Sequence, residues 1–267
     1  VTYNITVLTG GSTPERDVAL AGAAQVVAAL RDDGHTVTVV DTVNGPLSAA
    51  QEAELLTGTV DREPPSPAVL EQLKTRELGP ALVELPALRN ADVVFPVLHG
   101  RQGEGGELQA LLELAGIPFT GSDALGSGIA MAKDVSKVLF RQAGLATPDW
   151  TMWPAPPETI EALGFPLIVK PSRVGSTVGL SVVESMAAIE AAVELALGYD
   201  EDILIERFVA GRELTVGVLG GEALAVGEII PDHDIFDYEC KYTPGMTQEI
   251  FPADIPPQLT SAAQVSA

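Results

Sequence analysis

Apolar positions in the first part of the chain fall into short runs separated by helical stretches. Ile5-Thr6-Val7-Leu8 is a β-run ending at Gly10-Gly11, and a helix is predicted from about Glu15 to Asp32. Its apolar residues Val18, Leu20, Ala21, Val26, Val27 and Leu30 cover more than one face, which suits a helix packed closely on a sheet. His35–Val40 reads as the next strand, and Asp92–Leu98 as a buried one that ends at His99-Gly100. Between Asp41 and Asn90 the pattern weakens to a helix at Ala49–Leu56 and a loop at Arg62–Pro67, marked by prolines and charge. Alternating β and α elements predict an α/β, Rossmann-like domain over 1–121 with a parallel, doubly wound sheet.

After Gly121 the texture becomes α+β. Ser122–Met131 and Lys133–Ala143 read as two helices, with Gly144 stopping the second. Strands follow at Pro166–Lys170 and Gly179–Val183, then a helix at Met186–Leu197 and a strand at Asp202–Arg207, completing a domain over 122–210. A third unit, 211–267, has strands Glu213–Leu219 and Ala223–Ile230, a polar, aromatic loop at Pro231–Met246 and the beginning of a helix at its end. Gly126-Ser127-Gly128 lies in a helical region and reads as packing.

Charge narrows the chemistry. The net charge is −22, from 15 basic and 37 acidic residues, which argues against nucleic acid as a partner. A halophilic or merely very soluble protein would account for the acidity equally well. A ligand with several negative charges must find its cations among five lysines, Lys74, Lys133, Lys137, Lys170 and Lys241. No apolar run approaches the ~20 residues that span a bilayer, so no membrane association is expected, and the N-terminus reads as a strand rather than a signal peptide. The one cysteine, Cys240, excludes an internal disulfide framework and a Cys-rich zinc site, and a cytoplasmic protein is expected.

The candidate chemistry sits at strand ends. Lys170 closes an apolar strand and opens the Gly-rich run Pro171–Gly179, whose backbone could turn several N–H groups toward phosphate oxygens. Its order, strand–loop–strand, fits neither a Walker A loop nor a dinucleotide fingerprint. Alone it reads equally as a flexible hairpin. Glu206 ends a second apolar strand, where a carboxylate and free backbone groups could read an adenine edge, or pair with Arg207 at the surface. Glu15 either caps a helix or receives a substrate ammonium. His99 ends a strand, a frequent site position in open α/β sheets, although core packing is the default for a lone histidine.

Six strings in order resemble the D-alanine–D-alanine ligase family of the ATP-grasp superfamily. They are Leu8–Leu20, Pro96–Gly100 with Gly103–Gly106, Met131–Asp134, Lys170–Gly179, Ile205-Glu206 and Asp237–Tyr242. The resemblance implies a Rossmann-like domain followed by ATP-grasp domains, with ATP and D-alanine as ligands and a homodimer as the assembly. It implies that one D-alanine carboxylate attacks the γ-phosphate of ATP and that the amine of a second attacks the resulting acyl-phosphate. Lys133, Lys170 and Lys241 would meet the phosphates, aided by Ser176. Glu206, Arg207 and Val209 would frame the adenine, and Glu213 the ribose. Glu15 would bind the first D-alanine ammonium beside Val18 and His99. Glu15, Ser176 and Tyr242 would form a hydrogen-bonded triad, with Tyr242 favouring D-alanine over D-lactate as second substrate.

The family's Mg²⁺ ligands, an Asp, a Glu and an Asn, have no counterpart here, and neither does its catalytic Arg-x-Asp string. The resemblance thus implies that they lie beyond residue 267 and that the chain is a C-terminally incomplete, inactive fragment with no metal ligands of its own. Asp232, Asp234 and Asp237 read as a solvated acidic loop in preference to a cation site. Val174 stands where the family often has a carboxylate.

Overall fold

The structure is a computed structural model describing residues 1–267, the side chain of Pro67 excepted. The first unit is built on strands β1 (Asn4–Thr9), β2 (Thr36–Asp41), β3 (Gly45–Pro46) and β4 (Val93–Pro96), in the order β3-β2-β1-β4. β1 runs parallel to both β2 and β4, while β3 returns antiparallel to β2. Ile5 to Thr9 are all buried, as a central strand covered on both faces must be. Helix Arg16–Asp32 packs Ala23 and Val27 against Ile5, Val7 and Val39 on one face. Leu82, Leu88, Leu108 and Leu112 meet Leu8, Val40 and Val94 on the other. Period two along β1 thus feeds two cores from one strand.

The second unit is an antiparallel sheet, β5 (Trp150–Trp153), β6 (Leu167–Pro171), β7 (Ser181–Val183) and β8 (Ile203–Arg207), ordered β5-β8-β6-β7. Leu167 and Val169 of β6, with Ile203 and Ile205 of β8, pack on helices Pro157–Leu163 and Ile189–Leu197. Alternation then sends Ile168, Lys170, Leu204 and Glu206 to the opposite face. Helix Lys133–Gln142 approaches that face through Lys137, which bonds Glu206. The third unit is a sheet of β9 (Glu213–Leu219), β10 (Glu222–Pro231) and β11 (Thr247–Ile250), ordered β11-β10-β9, with helix Pro257–Ser266 against β10.

The structure departs from the sequence-based expectation in specific places. Pro231–Met246 is not all loop, since Tyr238–Tyr242 forms a helical turn whose N-cap, Asp237, accepts from the Cys240 amide at 2.9 Å. The strand expected from Gly179 begins at Ser181, because Gly179 adopts φ +71° with Tyr199 and Pro171 packed against its Cα. β5, β11 and helix Glu107–Ala115 had no counterpart in the expected elements. Gly128 does serve packing: the chain at Gly105-Gly106 comes so near that a Cβ on Gly106 would meet the Ala124 carbonyl at 2.4 Å and the Gly128 amide at 3.1 Å. No described helix is long and apolar enough to cross a membrane.

Candidate active site

Glu15 stands at the start of helix Arg16–Asp32, where the Gly10-Gly11 turn leaves the carboxyl end of β1. That turn is held by the next residue. Arg16 forms a bidentate pair with Asp41 at the end of β2, at 2.7 and 3.2 Å, and donates to the Gly11 carbonyl at 2.8 Å. Gly10 is confined to glycine, since its φ is +86° and a Cβ would lie 2.2 Å from Asp41 Oδ1. Glu15 is only 4% exposed. Its carboxylate accepts from the Ser176 hydroxyl at 2.5 Å, and Ser176 is in turn 2.5 Å from the Tyr242 hydroxyl. Glu15, Ser176 and Tyr242 therefore meet, although 161 residues separate the first two.

The Gly-rich run places them. Ser176 and Thr177 both take left-handed backbone, φ 51° and 63°, a conformation costly for residues with a Cβ. Gly175 lies against Glu15, since an added Cβ would sit 3.2 Å from both carboxylate oxygens. Thr177 donates to the Phe236 carbonyl at 2.7 Å, which together with Ser176–Tyr242 fastens segment 231–246 onto the loop. Burial raises the Tyr242 hydroxyl above its ordinary pKa, so it is a neutral donor at physiological pH.

Behind the loop, lysines converge. Lys133, the first residue of its helix, donates to the carbonyls of Ser172 at 3.0 Å and Val174 at 2.8 Å. Burial, then repulsion by Lys170, lowers its pKa to about 8. Glu206 accepts from Lys137 at 2.6 Å through one oxygen and from Lys170 through the other. Burial opposes ionisation of Glu206, but the two lysines outweigh it and hold its pKa below the ordinary carboxylate value. Lys137 also bonds the Thr147 hydroxyl at 2.8 Å and lies 4.9 Å from the Trp150 ring centroid.

Among the described residues, the side chains of the remaining candidates make no hydrogen bond to either cluster. His99 is half-buried, its Nδ1 enclosed without a partner. Val18 is half-buried one turn beyond Glu15. Lys241 is depressed by burial against the pull of Glu15, Glu213 and Asp237, and lies 5.1 Å from the Phe236 ring. The Arg207 side chain turns to the Leu163 carbonyl at 2.9 Å, and its amide donates to the Asp149 carbonyl at 3.0 Å. Val209 and Glu213 are exposed. Sequence reasoning gave Lys137 and Glu104 no specific role and did not pair Arg16 with Asp41. Glu104 accepts from the Gly100 amide at 2.8 Å, and burial raises its pKa beside His99 and Glu15.

A buried carboxylate is thus joined through a Gly-rich loop to a nest of lysines. Residues 4–122 match the family profile D-ala D-ala ligase N-terminus, and residues 139–267 match D-ala D-ala ligase C-terminus. The D-alanine–D-alanine ligase of Geobacter sulfurreducens is 38% identical over 262 residues, 97% of this chain and 71% of the relative. The chain belongs to the D-alanine–D-alanine ligase family. The Aquifex aeolicus ligase is 39% identical over 247 residues, 91% of this chain and 72% of its own length. The D-alanine–D-alanine ligase structure from Bacillus anthracis superimposes with a TM-score of 0.71 at 27% identity, covering 98% of this chain and 75% of that one. The same TM-score, 0.71, is found for the VanG D-Ala:D-Ser ligase of Enterococcus faecalis, at 26% identity over 100% of this chain and 81% of that one. The fold is thus the ATP-grasp fold of these ligases, and the Rossmann-like and ATP-grasp expectations agree with it. Its relatives are ATP-dependent ligases, and an ATP complex is known for the Bacillus anthracis neighbour.

Proposed function

We propose that the chain acts on D-alanine and ATP to join two D-alanines through a D-alanyl-phosphate, for peptidoglycan precursors. The observation that carries this is the Glu15–Ser176–Tyr242 network, fastened by one loop to the lysine nest. Glu15 takes the ammonium of the first D-alanine, with Val18 and His99 beside it, because an ionised carboxylate is an acceptor only. That D-alanine's carboxylate oxygen bonds to the γ-phosphorus as the bond to ADP breaks. The amine of the second D-alanine then forms the peptide bond, phosphate leaves, and the amine gives up a proton.

Lys133 and Lys170 neutralise phosphate oxygens, and Lys241 reaches the γ-phosphate from segment 231–246. Phosphoryl transfer depends chiefly on positioning and charge, which is what these groups supply. Glu206 with the Arg207 and Val209 backbone frames the adenine, and Glu213 the ribose. Mg²⁺ comes into this reading from the family alone. It requires oxygen donors. Among the described residues the one metal-competent group is His233, Asp237 and Cys240, whose nitrogen and sulfur donors do not suit it. No step of this reading runs through a metal.

Calorimetric titration of D-alanine, with ATP present, tests the reading. Binding is expected, with loss in Glu15→Gln and no competition from L-alanine. Equal binding of the two enantiomers, or an unaffected Glu15→Gln, would sink the assignment. Tyr242 at the second subsite favours the amine of D-alanine over the hydroxyl of D-lactate, so an ester product at neutral pH counts against that part.

A further inference from the structure

Segment 231–246 carries a cluster that the ligase reading does not use. His233 Nδ1 lies 2.7 Å from Asp237 Oδ2, and an imidazole nitrogen of His233, a carboxylate oxygen of Asp237 and the Cys240 sulfur all fall within 4.8 Å of one another. Spacing explains the meeting. Asp237 caps the turn Tyr238–Tyr242, and its Cys240 amide contact brings the cysteine side chain back toward the cap. His233 enters from the preceding loop, four residues before Asp237.

We propose that His233, Asp237 and Cys240 form a site for a thiophilic divalent cation of the Zn²⁺ class. One imidazole nitrogen, one carboxylate oxygen and one sulfur are the donor types that Zn²⁺ combines, and three protein ligands leave a fourth position for water. Hard ions such as Mg²⁺ disfavour this set. The arrangement grades from exposed to buried: His233 faces solvent, Asp237 is intermediate and Cys240 is enclosed. An ion can therefore enter past the imidazole and settle on the sulfur. Asp232 and Glu239 add negative charge around His233, which attracts a cation. The cost is local, since the His233–Asp237 hydrogen bond must open for a metal to sit between them.

The consequence is a clamp on the segment bearing Lys241 and Tyr242. Both residues follow Cys240 directly, and the segment is otherwise fastened through the Ser176–Tyr242 and Thr177–Phe236 contacts. A metal joining His233 to Cys240 would fix the turn before those contacts form.

Cd²⁺ titration followed by ultraviolet absorption tests this directly. Cys240 is the only cysteine in the chain, so any sulfur-to-cadmium charge-transfer band reports this site. One Cd²⁺ per chain with such a band is expected, displaced by Zn²⁺ and untouched by excess Mg²⁺. Cys240→Ala should abolish the band. The exposed His233→Asn should weaken binding at least about tenfold, since even outer partners of metal ligands commonly matter that much. No band in the parent protein overturns the proposal, as does a His233→Asn variant binding as tightly as the parent. Displacement by Mg²⁺ also overturns it, because that marks an ordinary acidic surface.

Discussion

Glu206→Gln is the substitution with the most to reveal, because one carboxylate neutralises two lysines. Removing one member of a wholly buried ion pair costs about 3–5 kcal/mol, since the partner's charge is left uncompensated. Lys137 is in that position, with its side chain 7% exposed and that of Glu206 9%. Two things reduce the loss. Lys170 is 21% exposed and can hydrate, and the glutamine carbonyl still accepts one charged hydrogen bond, worth about 1.5–3 kcal/mol. A net loss of about 2 kcal/mol follows. Both tryptophans of the chain, Trp150 and Trp153, lie in β5, and Trp150 pairs with Glu206 across the ladder. Their fluorescence therefore reports unfolding of this sheet. With a urea slope of about 2 kcal/mol/M, the midpoint should fall by about 1 M. An unshifted midpoint would refute the claim that Glu206 holds the lysines together, as would additivity of Glu206→Gln with Lys137→Met.

Three other perturbations separate the parts of the site. Lys133, lowered to about 8, must regain a proton to meet phosphate above that pH. The ATP dissociation constant should then rise with pH beyond 8, by up to about tenfold per unit for one proton. Lys133→Arg should flatten the profile, and a parent curve already flat there contradicts it. Gly175→Ala places a methyl 3.2 Å from both Glu15 oxygens, so D-alanine affinity should drop several-fold while calorimetry shows ATP affinity nearly unchanged; an equal loss of both would oppose the assignment. Arg16→Met leaves the fully buried Asp41 with only the neutral Val43 and Asn44 amides as donors, so urea unfolding of the first unit should reveal a loss of about 3 kcal/mol. A loss below about 1 kcal/mol would show that the Gly10-Gly11 turn holds without that pair.

What the sequence disclosed depended on contrast. Lys170 and Glu206 stand out because each ends an apolar strand, where a charge needs a partner. Lys137 does not, since Lys133–Gln142 carries charges on several sides and only the sheet beneath shows which one is enclosed. Asp41 was equally placed at a strand end, yet its partner Arg16 lies in another element and neither residue names the other. β5 hides between Pro148 and Pro154, and β11 is a mostly exposed strand at the sheet edge with no apolar alternation. The turn Tyr238–Tyr242 is five residues long, too short for a helical period to show. The Glu15–Ser176–Tyr242 meeting had no local signal at all. It was implied by family resemblance, and loop geometry supplies the physical reason for it.

That geometry also explains how an acidic chain can host a polyanion. With a net charge of −22, the long-range field opposes an incoming nucleotide, so attraction must be local. Lys133, Lys137 and Lys170 gather about Glu206, and their mutual repulsion and burial already depress two of the three. The nest is thus under-neutralised by the protein, and phosphates bound there, as proposed, would complete it. The same loop whose Ser172 and Val174 carbonyls hold Lys133 presents Ser176 to Glu15 only two residues later. On the proposed reading, a phosphate drawing Lys133 from those carbonyls would pull on the loop that carries Ser176, so the amino-acid dissociation constant should differ with and without nucleotide; equal constants would show the two subsites to be independent.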